Sequence, residues 1–204
     1  MIKDIKYQMH NQKLYCATDE ELLKEQLSYI DIVNEFNLTR TNELAKRQKL
    51  LKEMFLSVGE NCYIEPPLHA NFGCKHVKLG NNVYANFNLT LVDDTYISIG
   101  DNTMIGPNVT IATAGHPILP LLREKGYQFN VPINIGRNVW IGAGVIILPG
   151  VNIGDNSVIG AGSVVTKNIP ENVVAYGNPC KIIRSINKHD ENYYYKDLMI
   201  ESED

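Results

Sequence analysis

Residues 135–160 of the 204-residue chain read IGRNVWIGAGVIILPGVNIGDNSVIG. An aliphatic residue recurs at every sixth position of this stretch and its continuation: Ile135, Ile141, Ile147, Ile153, Ile159 and Val165. An amphipathic helix would repeat its apolar residues at intervals of three and four, so a spacing of six excludes one. Six is the period of a parallel β-helix, in which each hexapeptide supplies one short strand and one corner.

Three hexapeptides form one triangular coil of about 18 residues. The sequence therefore predicts that Ile135 stacks on Ile153 and that Ile141 stacks on Ile159. A second column runs in phase upstream: Ile99, Ile105 and Ile111. Asparagines and small residues are expected at the tight corners: Asn102, Asn138 and Asn156.

Residues outside this repeat divide the chain into three expected parts. Residues 1–60 are expected to form a helical cap, residues 61–185 the parallel β-helix, and residues 186–204 a tail. In the cap, Thr18 is the expected N-cap of a first helix, with Glu21 completing a capping box. A second helix is expected over residues 43–55.

The repeat also stops around residues 115–130 and then resumes in phase, which indicates a loop leaving one corner of the prism. Long excursions from a rigid scaffold are commonly functional.

The composition excludes several classes of partner. The net charge of −4 leaves no basic surface for nucleic acid. No apolar run approaches the ~20 residues that span a bilayer, so no membrane partner is expected. The four cysteines are scattered without metal-ligand spacing, which favours reduced thiols and a cytoplasmic location.

Several motifs resemble the hexapeptide-repeat acetyltransferases, specifically the galactoside and maltose O-acetyltransferases. They are YANFNLT at residues 84–90, VDD at 92–94, GHP at 115–117, NVWIG at 138–142, GDNSVIG at 154–160, VTK at 165–167 and GNPC at 177–180. The Asp-Asp pair and the tyrosine-rich tail are closer to the galactoside branch.

The resemblance implies a left-handed coil, although parallel crossovers are normally right-handed. It also implies a homotrimer with acetyl-CoA bound between subunits, and a small sugar as the acceptor. Some apolar residues are expected to pack against a neighbouring subunit, because the following four are not all expected to fit inside one narrow core: Val109, Val145, Ile147 and Val158.

The resemblance assigns catalytic roles to two residues. His116, in the Gly-His-Pro motif, corresponds to the family's general base, and such a group contributes ~10²–10⁴ in rate. Asn86 corresponds to a residue lining the acceptor site, where an amide holds the acceptor or stabilises the oxyanion. No serine or cysteine motif suggests an acyl-enzyme, so the expected route is direct attack in a ternary complex.

The acceptor is expected to contact Asn71, Asp94 and Gln128 besides Asn86. Relatives carry Ser or Asp at the position of Asn71 and often Glu or Met at that of Gln128. The N-terminal acceptor-binding aspartate of the galactoside branch aligns with Ala17. Asp19 is a possible replacement, but a position in the first turn of the helix explains it equally well.

Coenzyme A is expected to bind seven residues that match family positions. Trp140 matches a residue near the cleft, and the backbone at Ala143 and Ala161 matches contacts to the pantetheine arm. The nucleotide end matches hydroxyl and cationic side chains: Thr166, Lys167, Lys181 and Arg184. No metal is expected.

Three alternatives stay open at this point. An amino-sugar or other amine could replace the hydroxyl as acceptor. A metal-dependent hydratase on this scaffold would need three histidines, for which only His69, His76 and His116 are candidates. A non-catalytic β-helix trimer would bind no coenzyme A.

Overall fold

The structure, a computed structural model, describes residues 4–201. Its helices are α1 (Ile5–His10), α2 (Glu20–Asn37), α3 (Leu44–Met54), α4 (Pro120–Glu124) and α5 (Lys188–Asn192). The strands up to the excursion loop are β1 (Tyr15–Cys16), β2 (Ser57–Val58), β3 (Tyr63–Ile64), β4 (Leu68–Ala70), β5 (Val77–Leu79), β6 (Tyr84–Ala85), β7 (Leu89–Val92), β8 (Ile97–Ile99), β9 (Met104–Ile105) and β10 (Thr110–Ala112). The later strands are β11 (Ala114–Gly115), β12 (Tyr127–Asn130), β13 (Ile133–Ile135), β14 (Trp140–Ile141), β15 (Ile146–Ile147), β16 (Asn152–Ile153), β17 (Val158–Ile159), β18 (Val164–Val165), β19 (Val173–Tyr176), β20 (Lys181–Ser185), β21 (Tyr193–Tyr195) and β22 (Leu198–Met199).

Most of these strands form a parallel β-solenoid of about six turns with three faces. Sheet I contains β2, β5, β8, β13 and β16, and sheet III contains β4, β7, β10, β15 and β18. Sheet II contains β3, β6, β9, β14, β17 and β19, with β20 added antiparallel at its end. The solenoid starts before the expected boundary at residue 61, because β2 already pairs with β5.

The columns predicted from the sequence are confirmed by the strand register. Ile135 pairs with Ile153, and Ile141 pairs with Ile159. The upstream column joins them across the loop, since Ile105 pairs with Ile141. These side chains are at most 3% exposed and fill the axis of the prism.

Asparagines with a left-handed backbone conformation occupy corners of the solenoid. Asn138 and Asn156 have φ angles of 58° and 61°, and the Asn138 amide donates to the Asn156 side chain at 3.2 Å. Asn156 in turn donates to Asn172 at 2.9 Å. Asparagine tolerates this conformation better than most other non-glycine residues, because its short polar side chain forms hydrogen bonds with nearby groups.

The glycines at other corner positions are required by close packing between coils and not by a left-handed backbone. A Cβ added at Gly142 would lie 2.6 Å from the backbone nitrogen of Ala161 in the next coil. The repeated glycines therefore follow from the contact between coils.

The expectation that Val109, Val145, Ile147 and Val158 do not all fit in the narrow core is confirmed, but by one residue alone. Val109, Val145 and Ile147 are all fully buried in the prism, and only Val158 is partly exposed. A hexapeptide of these coils points two side chains inward, one in the strand and one at the corner before it. The corner residue is apolar at Val109, Val139, Val145 and Val151 and polar at Thr103, Ser157 and Ser163. The axis therefore holds more side chains than one column predicts.

The N-terminal cap differs from the expected pair of helices. A helix not foreseen from the sequence, α1, precedes the others, and the N-cap of α2 is Asp19 rather than Thr18. The Asp19 carboxylate accepts from the backbone N–H groups of Glu21 and Leu22 at 3.1 and 3.2 Å. The Thr18 hydroxyl instead contacts the Cys16 thiol at 3.1 Å.

The excursion loop is an ordered element. Strands β11 and β12 form an antiparallel pair around α4, and β12 also pairs with β1 of the cap. The resulting sheet, β1-β12-β11, joins the start of the chain to its middle. None of the helices within residues 4–201 is long and apolar enough to cross a membrane.

Candidate functional site

The proposed acceptor residues Asn71, Asp94 and Gln128 come together beside the loop. Asn71 and Asp94 follow β4 and β7 of sheet III, and Gln128 lies on β12. Asp94 accepts from the Asn71 amide at one oxygen and from the Gln128 amide at the other, both at 2.7 Å. Neutral donors thus orient both oxygens of a carboxylate that is only 4% exposed.

Three further residues extend this polar cluster. Gln26 of α2 donates to the Asn71 side-chain oxygen at 2.8 Å, which fixes the orientation of that amide. The Gln128 amide also donates to the Tyr15 hydroxyl at 2.6 Å, and Asn130 donates to the same hydroxyl at 3.0 Å. Burial holds the pKa of the Tyr15 hydroxyl well above its usual range, so the phenol stays protonated.

The cluster borders a small cavity of about 160 Å³, whose wall includes Ala17 where the galactoside branch has its aspartate. Asp19 does not line this cavity, since it caps α2. Sequence reasoning missed Tyr15, Gln26 and Asn130 as members of the site. Asn130 lies two positions from Gln128 on the same face of β12, so the alternation of a strand could have revealed it. No short-range pattern could reveal Tyr15 or Gln26, which are 113 and 45 positions from their partners Gln128 and Asn71.

His116 leaves the scaffold at the end of β11 and is exposed. Its Nδ1 atom lies 3.0 Å from the carbonyl oxygen of Tyr127. A carbonyl oxygen only accepts, so Nδ1 carries the proton and the Nε2 of a neutral ring has a free lone pair. Among residues 4–201, Nε2 has no hydrogen-bond partner.

The turn before His116 depends on close packing inside the loop. A Cβ added at Gly115 would lie 2.9 Å from the ring of Phe129, on the paired strand β12. The hairpin therefore fixes both the position of the histidine backbone and, through Tyr127, the orientation of its ring.

A second group of candidates lines a groove on sheet II. Asn86, Trp140, Ala143 and Ala161 all border a cavity of about 520 Å³. Trp140 is 55% exposed on the outer surface, with Met104 beside it in the register. The Asn86 side-chain oxygen accepts from the backbone N–H of Phe87 at 2.7 Å, so its amide nitrogen is free of partners in the described chain.

The residues expected to contact the nucleotide of coenzyme A lie on two different sheets. Thr166 and Lys167 follow β18 of sheet III, and both are exposed. Lys181 and Arg184 lie on β20, at the end of sheet II, and are also exposed. Arg184 is already paired with Asp190 through two hydrogen bonds of 2.6 and 2.7 Å.

The candidate residues thus lie along two different edges of one prism. Asn71, Asp94 and Lys167 follow strands of sheet III, and His116 follows β11, which comes directly after β10 of the same sheet. Asn86, Ala143 and Ala161 follow strands of sheet II. The structure does not bring Asn86 into the cluster around Asp94. One chain therefore presents two partial sites.

The histidines do not form a metal site within the described part of the chain. No group of three or more His, Cys, Asp or Glu residues among residues 4–201 could hold a metal ion. His76 is buried and its Nδ1 donates to the Asp93 carbonyl at 2.7 Å. Burial lowers its pKa to about 4.

Comparisons with known proteins first define the class. The family model for the bacterial transferase hexapeptide (six repeats) matches residues 132–167. The model for the maltose acetyltransferase hexapeptide capping motif matches residues 8–59. A hexapeptide repeat of succinyl-transferase matches residues 96–117.

Individual relatives narrow the class. The galactoside O-acetyltransferase of Lactococcus lactis is 54% identical over 91% of this chain and 90% of its own length. That of Escherichia coli is 52% identical over 93% of each chain. A galactoside acetyltransferase solved in complex with coenzyme A superposes with a TM-score of 0.94 at 50% identity, covering 97% of this chain and 98% of that one. A maltose O-acetyltransferase from Clostridium difficile gives 0.88 at 46% identity, over 90% and 98% of the two chains.

The fold and these matches define a hexapeptide-repeat acyltransferase. Within that class, the chain belongs to the family of the galactoside and maltose O-acetyltransferases.

Proposed function

We propose that the protein transfers the acetyl group of acetyl-CoA to a hydroxyl of a sugar or glycoside. The observation that carries the proposal is the hydrogen bond from His116 Nδ1 to the Tyr127 carbonyl oxygen. It leaves Nε2 as a proton acceptor at the exposed end of an ordered hairpin. A neutral hydroxyl attacks a thioester poorly, so a base at this position supplies what the reaction needs.

The chemical step follows from the two partial sites. His116 Nε2 removes the proton of the acceptor hydroxyl while its oxygen attacks the thioester carbonyl carbon. The resulting tetrahedral oxyanion accepts a hydrogen bond from the Asn86 amide, whose nitrogen is otherwise unengaged in the described chain. The C–S bond then breaks, and the imidazolium returns its proton to the departing thiolate. The products are the acetyl ester and coenzyme A, with no acyl-enzyme.

The carboxylate of Asp94 supports a polyhydroxylated acceptor. Its two oxygens each accept one amide N–H and keep lone pairs for hydroxyl donors. The relatives named above include galactoside and maltose O-acetyltransferases, which supports a sugar as the acceptor class.

The outer faces of the solenoid support a cyclic trimer. The outward column of sheet I is polar: Lys78, Ser98, Asn134 and Asn152. The outward column of sheet II is apolar: Tyr84, Met104, Trp140 and Val158. A neighbour that covers sheet II and brings its own His116 loop to the groove would complete the site, and repeating that contact three times closes a ring.

Coenzyme A then lies along sheet II. Its thioester would sit near Asn86 and Trp140, where two alanines allow close approach of the pantetheine arm. Its phosphates would reach the cations at the end of the sheet, Lys181 and Arg184, and Lys167 at the neighbouring edge.

The test is acetyl transfer to a panel of sugars, measured by release of free thiol. The His116→Ala variant should lose ~10²-fold or more in kcat while its affinity for coenzyme A changes only a few-fold. His69→Ala removes an exposed histidine from β4 and serves as the matched control. Near wild-type turnover by His116→Ala would overturn the general-base assignment. Sedimentation that gives a fully active monomer would overturn the shared site.

A further inference from the structure

Arg184 and Asp190 form an ion pair of defined geometry at the end of the solenoid. Asp190 Oδ2 accepts from Nη1 of Arg184 at 2.6 Å, and Oδ1 accepts from Nη2 at 2.7 Å. Nη1 also donates to the Ser185 carbonyl at 3.1 Å. Three of the five guanidinium N–H groups are therefore engaged by the chain itself.

The carboxylate is fixed independently of the arginine. Asp190 Oδ2 also accepts from the backbone N–H of Asn187 at 2.9 Å, and the Asn187 side chain accepts from the backbone of His189 at 2.9 Å. The bond from Asn187 N–H to Asp190 is one half of the capping box of α5, and the other half joins the Asn187 side chain to the backbone of Asp190. The segment after β20 thus folds back and presents its carboxylate to Arg184.

The strand register shows which surface Arg184 occupies. Trp140 pairs with Val158, Val158 with Val174, and Val174 with Arg184. Paired residues on adjacent strands project to the same side, so Arg184 continues the outward column that lines the groove. Three steps between strands place it about 14 Å from Trp140 along the sheet.

Asp190 and Ser185 leave one edge of the guanidinium unoccupied. Among the described residues, Nε and the second N–H of Nη2 have no partner, and these two donors lie side by side. Such a pair of parallel N–H groups matches two oxygens of a phosphate. Because Asp190 holds the adjacent Nη1–Nη2 edge, the Nε–Nη2 edge is oriented before any anion arrives.

We propose that Asp190 is a positioning residue for the coenzyme. It holds the Arg184 guanidinium so that the Nε edge can receive a phosphate of the acetyl-CoA nucleotide. This inference rests on the proposed function, because it takes acetyl-CoA as the ligand of the groove.

The experiment compares acetyl-CoA kinetics in the wild type and four variants of the chain. Asp190→Asn should raise the KM for acetyl-CoA about 3–10-fold and leave kcat within about 2-fold. Glu191→Gln makes the same change of charge one residue away, at an exposed side chain of α5, and should leave both constants unchanged. In an Arg184→Gln background, Asp190→Asn should add no further loss.

A second measurement guards against a purely structural effect. Asp190→Glu retains a carboxylate and should recover part of the affinity that Asp190→Asn loses. Equal KM values in wild type and Asp190→Asn, a lower KM in the variant, or additive losses in the double variant would each overturn the positioning role. Failure of the wild type to bind acetyl-CoA in calorimetry would instead overturn the proposed function.

Discussion

Asp93 gives the most quantitative prediction, because its carboxyl group is buried with incomplete hydrogen bonding. It is 0% exposed, and its Oδ1 accepts from the backbone N–H of Phe72 at 2.7 Å. Its Oδ2 has no partner within residues 4–201. Burial raises the pKa of this carboxyl group from 3.8 to about 6, and the neighbouring charge of Asp94 acts in the same direction.

The sign of the pH dependence follows from this direction. A carboxyl pKa that is higher in the folded chain favours folding of the protonated form. That stabilisation is complete below the unfolded pKa and is lost as the pH rises through about 6. Relative to a residue that does not ionise, Asp93 destabilises the protein by about 1 kcal/mol at pH 4.5 and about 3 kcal/mol at pH 7.5.

The Asp93→Asn variant removes the ionisation but keeps an oxygen for the Phe72 N–H. Its free energy of unfolding, relative to wild type, should therefore increase by about 2 kcal/mol between pH 4.5 and 7.5. The unmatched amide N–H of the variant adds a constant penalty that does not depend on pH. His76 has a lowered pKa and loses stabilisation as the pH falls, but both proteins contain it, so the difference isolates Asp93.

The assay is urea denaturation of both proteins at four pH values and one protein concentration. Ile141→Val, a change of one buried methyl group in the core, is the control and should shift stability equally at every pH. A difference between Asp93→Asn and wild type that stays flat within about 0.5 kcal/mol would refute the buried, ionising carboxylate.

Three other substitutions have defined outcomes. Asn138→Ala should lower the free energy of unfolding by about 1–2 kcal/mol in urea, since φ is 58° and the bond to Asn156 is lost, whereas Asn138→Gly should lose less. Equal losses would contradict the role of φ. Gly142→Ala should lower the melting temperature and weaken acetyl-CoA binding in calorimetry, because the new Cβ meets the backbone of Ala161. An unchanged protein would show that the coils can separate freely. Lys167→Ala should raise the KM for acetyl-CoA by ~10-fold while Lys78→Ala, on the polar face, should not; a rise in the acceptor KM alone would contradict the assignment.

The solenoid is predicted well from the sequence, because the residues that repeat at every sixth position are the ones buried along its axis. Each Ile of the columns is buried in one coil and paired with the next, so spacing alone gave register across 18 residues. The cap was predicted less accurately. Thr18 and Asp19 are both good N-caps, and the structure uses Asp19 while the Thr18 hydroxyl contacts Cys16, an arrangement that no local pattern reveals.

The sequence predicted only part of the candidate site, because the remaining residues depend on contacts between distant segments. Motif positions named Asn71, Asp94 and Gln128, which the fold brings into one cluster. Their partners Tyr15 and Gln26 come from the cap, and strand β1 is too short to carry a period. The separation of Asn86 from that cluster also required the prism, since it depends on which face each strand occupies.

The pairing of β1 with β12 has a consequence for the order of folding. Neighbouring coils close loops of about 20 residues, whereas Tyr15 meets Gln128 across 113 positions. Loop-closure entropy makes the long contact the slower one to form, so the solenoid should assemble first and dock the cap afterwards. During synthesis, the first strand must wait for most of the chain before its partner emerges. The polar cluster around Asp94 should therefore be the last part of the protein to become ordered.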